Sequence, residues 1–261
     1  MDYIFYLLYT FIFLLGLCLG SFLNCVIYRL ESEKSLNGRS FCPRCKHKLS
    51  WQDLFPVFSF LFLKGKCRYC REKISIQYPL VEFITGLIFL VIFWKFGIKD
   101  LFALCLTLYV SCSLIAIFIY DLKHYLIPDK ILFPAIVITF LYRLLANFSL
   151  MPNYIIAVLV SAGFFLFIFL ISKGRWMGFG DVKLAVLMGL LLGLPNVLVA
   201  LFLAFLFGAI IGVILMAFGK KSAGWRMKSE MPFGPFLITG TFISILWASP
   251  IIQWYLNLFT I

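Results

Sequence analysis

The chain has 261 residues, of which 63% are hydrophobic and only 13% are charged. Soluble domains of this length carry about a quarter charged residues, so the composition excludes an ordinary soluble enzyme and predicts an all-α polytopic membrane protein. The formal net charge is +12, but the aromatic residues lie in apolar runs and not among the basic ones. We therefore expect the positive charge to hold loops against anionic lipid, and we expect no nucleic-acid partner.

Apolar runs define the expected membrane helices. About twenty apolar residues span a bilayer, and on that rule the chain contains about eight transmembrane helices, near residues 3–27, 79–97, 101–120, 130–146, 153–171, 182–193, 196–218 and 232–258. The first run lacks a basic N-terminal region and a small-residue cleavage site, so we expect it to remain as a membrane helix. The sixth run has only about a dozen residues, which predicts a short, tilted or partly re-entrant segment.

The basic residues predict the orientation of these helices. With the N-terminus outside, the inner segments are 28–78, 121–130, 172–183 and 219–231, and they hold all of the 23 basic residues except Lys95, Lys99 and Arg143. Basic residues concentrate in cytoplasmic loops. The same alternation places Asp121 and Asp181 together on the cytoplasmic side, which the span assignment did not require.

The first inner segment is a polar domain of residues 28–78, between the first helix (1–27) and the remaining membrane core (79–261). About fifty residues are too few to form a stable hydrophobic core without a cross-link such as a bound metal ion. The segment contains a CxxC pair, twenty-one intervening residues and a second CxxC pair: Cys42, Cys45, Cys67 and Cys70. Four thiolates favour a closed, tetrahedral, structural zinc site. A redox motif and an iron site remain as alternatives.

Two acids stand at the ends of apolar runs in the membrane core. Asp121 lies at the C-terminal end of one apolar run, and Asp181, preceded by Gly178 and Gly180, lies at the N-terminal end of another. A charge at such a position is expensive without a function. Two adjacent carboxylates share one proton, so one can activate water while the other protonates a leaving amine. The glycines would let an extended peptide approach closely; alternatively, Asp181 simply caps a helix.

Short motifs occur in a fixed order along nearly the whole chain. They are Gly20-Ser21-Phe22-Leu23-Asn24, Val26-Ile27-Tyr28-Arg29-Leu30, the two cysteine pairs with Trp51-Gln52-Asp53 between them, Tyr78-Pro79, Val81-Glu82, Ile127-Pro128-Asp129, Gly178-Phe179-Gly180-Asp181-Val182-Lys183-Leu184 and Pro232-Phe233-Gly234-Pro235-Phe236. In this order and spacing the chain resembles bacterial type IV prepilin peptidases, the leader peptidase/N-methyltransferase group of GxGD aspartic proteases.

The resemblance implies a function for each of these sites. Asp121 and Asp181 would be the catalytic pair, with Gly178, Gly180 and Lys183 supporting the substrate loop. The enzyme would remove the basic leader of type IV prepilins and pseudopilins at the cytoplasmic face of the bacterial inner membrane. Retention of the cysteine loop implies that it also methylates the new N-terminus with S-adenosylmethionine. No motif marks the methyl-donor site, for which Glu82 and Asn24 are the candidates.

Three other functions stay open at this point. Tyr120-Asp121 and Gly-x-Gly-Asp also occur in presenilin-like intramembrane proteases. A proton- or cation-coupled transporter would predict acids near the bilayer midplane, whereas both aspartates are expected at the surface. A non-catalytic scaffold built on the zinc loop is the remaining alternative. The sequence indicates neither the oligomeric state nor which pilus or secretion system supplies the substrate.

Overall fold

The computed structural model describes residues 2–35, 37–146, 148–218 and 231–258. Within these ranges the fold is almost entirely helical, which confirms the all-α prediction. The helices are α1 (Asp2–Glu31), α2 (Phe58–Phe62), α3 (Gln77–Phe96), α4 (Leu101–His124), α5 (Asp129–Ala146), α6 (Met151–Ser172), α7 (Phe179–Leu192), α8 (Asn196–Phe218) and α9 (Gly234–Asn257). Four basic residues used to predict the orientation lie outside the described residues: Lys220, Lys221, Arg226 and Lys228.

Each of the predicted spans coincides with one helix, but only six helices are long and apolar enough to cross a membrane: α1, α3, α4, α6, α8 and α9. The prediction of about eight spans is therefore reduced to six among the described residues. Helix α5 carries three charged residues, Asp129, Lys130 and Arg143. Helix α7 has 14 residues, or about 21 Å at 1.5 Å per residue, against a hydrocarbon core of about 30 Å. The protein is a multi-pass membrane protein.

The chain forms two compact units, Met1–Ala116 and Ile117–Ile261. In the first unit α1 packs along α3 through small residues. A Cβ added at Gly16 would lie 2.7 Å from Gly86 Cα, and one added at Gly20 would lie 2.6 Å from Glu82 Cα. Glycines one turn apart let two membrane helices approach closely. This contact fixes the position of Glu82, which is buried on the same face.

The second unit is built around α7. This helix packs against α5, α6, α8 and α9, and ten of its 14 residues are buried. Close approach of α6 is possible because Gly189 of α7 faces the backbone of Val158, 2.7 Å from an added Cβ. Ser161 of α6 donates a hydrogen bond to the carbonyl of Ala185 at 3.0 Å. A helix too short to span the bilayer is thus surrounded by longer ones.

The C-terminal end of α7 is held by specific hydrogen bonds. Arg143 donates to the carbonyls of Leu190 and Leu191 at 3.2 and 2.6 Å. Asn153 then accepts a hydrogen bond from the backbone N–H of Leu194 at 2.8 Å and donates to its carbonyl at 3.2 Å. The terminal carbonyls of a helix need such partners, most of all where water is scarce. These contacts stabilise the C-terminal end of the short helix α7, which carries Asp181 in its first turn.

Candidate active site and metal centre

Asp121 lies three residues before the end of α4 and is only 4% exposed. The helix ends because Tyr125 adopts a left-handed backbone conformation with φ of 55°, and its N–H donates to the Asp121 carbonyl at 2.9 Å. The chain then runs through Pro128 into α5. The short connection leaves the side chain of Asp121 inside the second unit.

Asp181 is the third residue of α7 and is 8% exposed. Its backbone N–H donates to the Gly178 carbonyl at 3.2 Å, and its carboxylate accepts a hydrogen bond from the Gly178 N–H. Gly178 is therefore the N-cap residue, and Asp181 is not. The first turn of a helix stabilises a negative charge through its unpaired N–H groups.

The structure brings Asp121 and Asp181 together. Burial raises the pKa of Asp181 to about 7, and the charge of Asp121 adds to the rise, while the hydrogen bond from Gly178 opposes it. Asp121 accepts a hydrogen bond from the N–H of Gly234, the first residue of α9. Two interacting buried carboxylates tend to hold one proton between them. This is the arrangement expected for general acid–base hydrolysis.

Ile127 packs beside both Gly180 of α7 and Gly234 of α9. A Cβ added at Gly180 would lie 3.1 Å from Ile127 Cβ, and one added at Gly234 would lie 3.6 Å from Ile127 Cδ1 and overlap the carboxylate of Asp121. Sequence reasoning assigned no function to Ile127 or Gly234, although both belong to motifs that carry the family resemblance. A glycine between two prolines at a helix entry was the available signal for Gly234.

The two glycines before Asp181 differ in their surroundings. Gly178 has extended backbone angles of φ −75° and ψ 150°, so it does not need glycine's conformational freedom. A Cβ there would meet nothing nearer than 3.9 Å. Gly180 is needed for close packing against Ile127. The open space beside Gly178 leaves room for a peptide strand.

Lys183 contacts α5 instead of the carboxylate pair. Its Nζ lies 2.8 Å from both carboxylate oxygens of Asp129. The same ammonium stands 5.3 and 5.4 Å from the ring centroids of Phe133 and Phe179. Asp129 is half exposed, so the pair contributes only about 1 kcal/mol or less to stability. Its geometric effect is to tie the start of α5 to the first turns of α7.

The four loop cysteines form two matching knuckles in the first unit. In the first, the N–H of Cys42 donates to the His47 carbonyl at 2.9 Å and the N–H of Lys46 to the Cys42 carbonyl at 2.9 Å. In the second, the N–H of Cys67 donates to the Glu72 carbonyl at 2.8 Å and the N–H of Arg71 to the Cys67 carbonyl at 3.0 Å. Lys46 and Arg71, each four residues after the first cysteine of its pair, have positive φ values of 61° and 60°.

The thiols of Cys42, Cys45, Cys67 and Cys70 all lie within 4.8 Å of one another. The sulfurs of Cys42 and Cys70 are 3.9 Å apart. A tetrahedral ion with metal–sulfur distances of about 2.3 Å would separate its sulfurs by about 3.8 Å. Burial raises the pKa of Cys42, but hydrogen bonds from the N–H groups of Cys45 and Arg44 lower it more, to about 7. The cluster could hold a metal ion.

Glu82 and Asn24 both lie buried where α1 meets α3. Glu82 Oε2 accepts a hydrogen bond from the N–H of Val57 at 2.7 Å, and its carboxylate also receives the hydroxyl of Ser21. Asn24 donates from Nδ2 to the Tyr78 carbonyl at 3.0 Å. The two side chains therefore have separate partners, one in the cysteine loop and one at the start of α3.

A multi-pass helical protein with two interacting buried carboxylates belongs structurally with the membrane aspartic hydrolases. Comparisons with known proteins agree. Residues 14–96 match the bacterial peptidase A24 N-terminal domain, and residues 108–213 match the type IV leader peptidase family. The chain belongs to the type IV leader peptidase family.

Three relatives carry the name prepilin leader peptidase/N-methyltransferase. The protein from Legionella pneumophila is 34% identical over 96% of this chain and 95% of its own. The protein from Aeromonas salmonicida is 32% identical over 97% and 95%, and the one from Bacillus subtilis is 32% identical over 95% and 98%. No solved structure matches this chain. The family resemblance inferred from the motifs is confirmed.

Proposed function

We propose that this chain is a bifunctional membrane enzyme. It removes the leader peptide of type IV prepilins and pseudopilins as an aspartic endopeptidase, and it methylates the new N-terminus with S-adenosylmethionine. The observation that carries the peptidase activity is the interaction of the buried carboxylates of Asp121 and Asp181 within one unit. The names of the full-length relatives support both activities. A presenilin-like protease and a transporter are not favoured, because neither name occurs among these relatives.

The carboxylate pair performs hydrolysis with one shared proton. The charge of Asp121 helps to raise the pKa of Asp181, so we assign the ionised Asp121 as the base that takes a proton from water. Asp181, whose pKa is raised to about 7, holds the proton and gives it to the leaving nitrogen. The water oxygen bonds to the peptide carbon, the C–N bond breaks, and a carboxylate and an amine are released.

The first turns of α7 orient the substrate in this proposal. The open space beside Gly178 accepts the extended backbone of the prepilin near the cleavage position. Gly180 lets Ile127 pack against the first turn of α7, and Lys183 holds α7 to α5 through Asp129. Each of the three residues therefore supports the site without taking part in proton transfer.

The cysteine cluster holds one structural zinc ion in this account. Four soft ligands at two CxxC knuckles favour zinc, and a shell of four thiolates leaves no open position for catalysis. The ion stabilises residues 28–78, which otherwise lack a core of adequate size. The excess of basic residues in this segment supports a cytoplasmic location, an outside N-terminus and an active site at the cytoplasmic face of the bacterial inner membrane.

Leader cleavage by purified protein tests the peptidase proposal. We expect Asp121→Asn and Asp181→Asn each to lower the cleavage rate of a prepilin by about 10³-fold or more, as loss of an essential acid or base does. Asp100→Asn is the matched control, because Asp100 caps α4 through the N–H of Ala103 at 2.9 Å and asparagine caps equally well. If either active-site variant cleaves at the wild-type rate, the paired-carboxylate mechanism is wrong.

A further inference from the structure

The first unit contains a cavity of about 530 Å³ that the peptidase chemistry does not use. Small-molecule sites have volumes of about 300–1,000 Å³. The cavity lies where α1, the cysteine loop and the start of α3 meet, and its wall includes Asn24, Tyr28, Phe41, Asp53, Arg68 and Tyr78. It is therefore large enough for a nucleoside-sized ligand and mixes aromatic, polar and charged groups.

One acceptor in the cavity wall has no partner among the described residues. Asn24 is 4% exposed, and its Nδ2 is committed to the Tyr78 carbonyl at 3.0 Å. Its Oδ1 is buried without a hydrogen bond. Buried polar atoms are nearly always paired, and a cavity that borders the atom can supply the missing donor. A ligand N–H or ammonium group fits this position.

The other wall residues indicate what such a ligand carries. Tyr28 and Phe41 stand edge to face, with ring centroids 6.0 Å apart, and the Lys34 ammonium lies 5.7 and 4.9 Å from these centroids. Aromatic rings also stack on planar bases. Asp53 forms an ion pair with Arg68 at 2.8 Å. Burial raises the pKa of Asp53, but hydrogen bonds from Ser50 and the charge of Arg68 hold it below its usual value. The wall therefore carries an ion pair whose two charges already engage each other.

We propose that this cavity binds S-adenosylmethionine, with Asn24 Oδ1 as an acceptor and with Tyr28, Phe41 and Tyr78 as its aromatic wall. The inference rests on the proposed methyltransferase activity and assigns its donor site. When bound, the donor supplies an electrophilic methyl carbon. Transfer forms a C–N bond from the amine lone pair, breaks the C–S bond with its electron pair passing to sulfur, and releases the ammonium proton to water.

Glu82 is a positioning residue for this cavity. It is not part of the cavity wall, but it accepts the hydrogen bond from Val57 in the cysteine loop and receives the hydroxyl of Ser21, a wall residue. Val57 has a φ of 61°, which is strained for a β-branched residue. The hydrogen bond to Glu82 holds the loop against α1 and α3, and so maintains the shape of the cavity.

Binding of methyl-labelled S-adenosylmethionine to the full-length, zinc-loaded protein in detergent tests the inference. Ser40→Trp fills the cavity from a wall position, whereas Ser32→Trp makes the same change at a residue that does not line it. We expect Ser40→Trp to weaken binding at least tenfold and Ser32→Trp to leave it unchanged. Asn24→Leu should weaken it by about tenfold, the loss of one buried hydrogen bond. Ultraviolet crosslinking should attach label to the peptides of Tyr28 and Phe41.

Leader cleavage and zinc content of the same variants serve as folding controls. If the wild-type protein binds no S-adenosylmethionine, the methyltransferase part of the proposed function is wrong. If the wild-type protein and the folded Ser40→Trp variant bind it equally, or the label is found only on other peptides, the donor lies elsewhere. In that case the cavity assignment is overturned and the proposed function stands.

Discussion

Replacing Gly234 by alanine should displace Asp121, one carboxylate of the proposed catalytic pair, without disturbing the fold. The added Cβ would overlap Asp121 Oδ2 and lie 3.2 Å from its Cγ, whereas ordinary contact begins at 3.4 Å. Relief of this overlap requires the carboxylate to move by about 1 Å, and a displacement of that size can lower a rate by about 100-fold. We therefore expect kcat for leader cleavage to fall by about 100-fold in Gly234→Ala.

Mass spectrometry of a prepilin incubated with purified enzyme measures this rate. Gly208→Ala in α8 is the matched control, since its Cβ would lie no closer than 3.5 Å to any neighbour. That variant should cleave like wild type and gain up to about 1 kcal/mol from helix propensity. Binding of S-adenosylmethionine and the Tm show whether Gly234→Ala is folded. A folded Gly234→Ala protein that cleaves at the wild-type rate would refute the close contact between α9 and Asp121.

Three further predictions follow from the same contacts. Lys183→Met should lower kcat about tenfold, because it loosens α7 from α5. The charge exchange Asp129→Lys with Lys183→Asp should restore most of the rate. An effect on KM alone would mean that Lys183 contacts the substrate instead. The pKa of Asp181 is raised to about 7, so its carboxyl group is protonated below that pH and ionised above it. We therefore expect kcat to fall as the pH rises through about 7. A flat profile of kcat between about pH 6 and 9 contradicts the assignment of Asp181 as the acid. The wild-type protein should contain about one zinc per chain, and Cys67→Ser should remove it and abolish methyl transfer while leader cleavage continues. Metal analysis that finds no zinc in the wild-type protein contradicts the structural role of the cysteine cluster.

The helices were predictable because a membrane leaves the backbone few choices. An apolar run in lipid must pair its own N–H and C=O groups, so the length of the run nearly determines the helix. The predicted segment 196–218 coincides with α8 for this reason. The short α7 was predicted from the length of its apolar run, but the hydrogen bonds by which Arg143 and Asn153 hold its C-terminal end are not visible in sequence.

The two candidate sites differ in how much of them the sequence contains. The cysteine cluster is local, since each knuckle closes within six residues, and its spacing alone indicated the shared centre. The carboxylate site depends on α9 reaching Asp121, which is 113 residues away in the chain. Gly234 and Ile127 could therefore not be placed beside it from spacing. Charge alternation predicted only that Asp121 and Asp181 share one side.

A double-substitution experiment tests the central claim that the two carboxylates work as one unit. The cleavage rate of a prepilin is measured for Asp121→Asn, Asp181→Asn and the protein that carries both changes. Residues that share one step have strongly non-additive effects, so the double variant should cleave no more slowly than either single variant. A double variant whose loss is the product of the two single losses, or a single variant that retains the wild-type rate, contradicts the shared-proton mechanism.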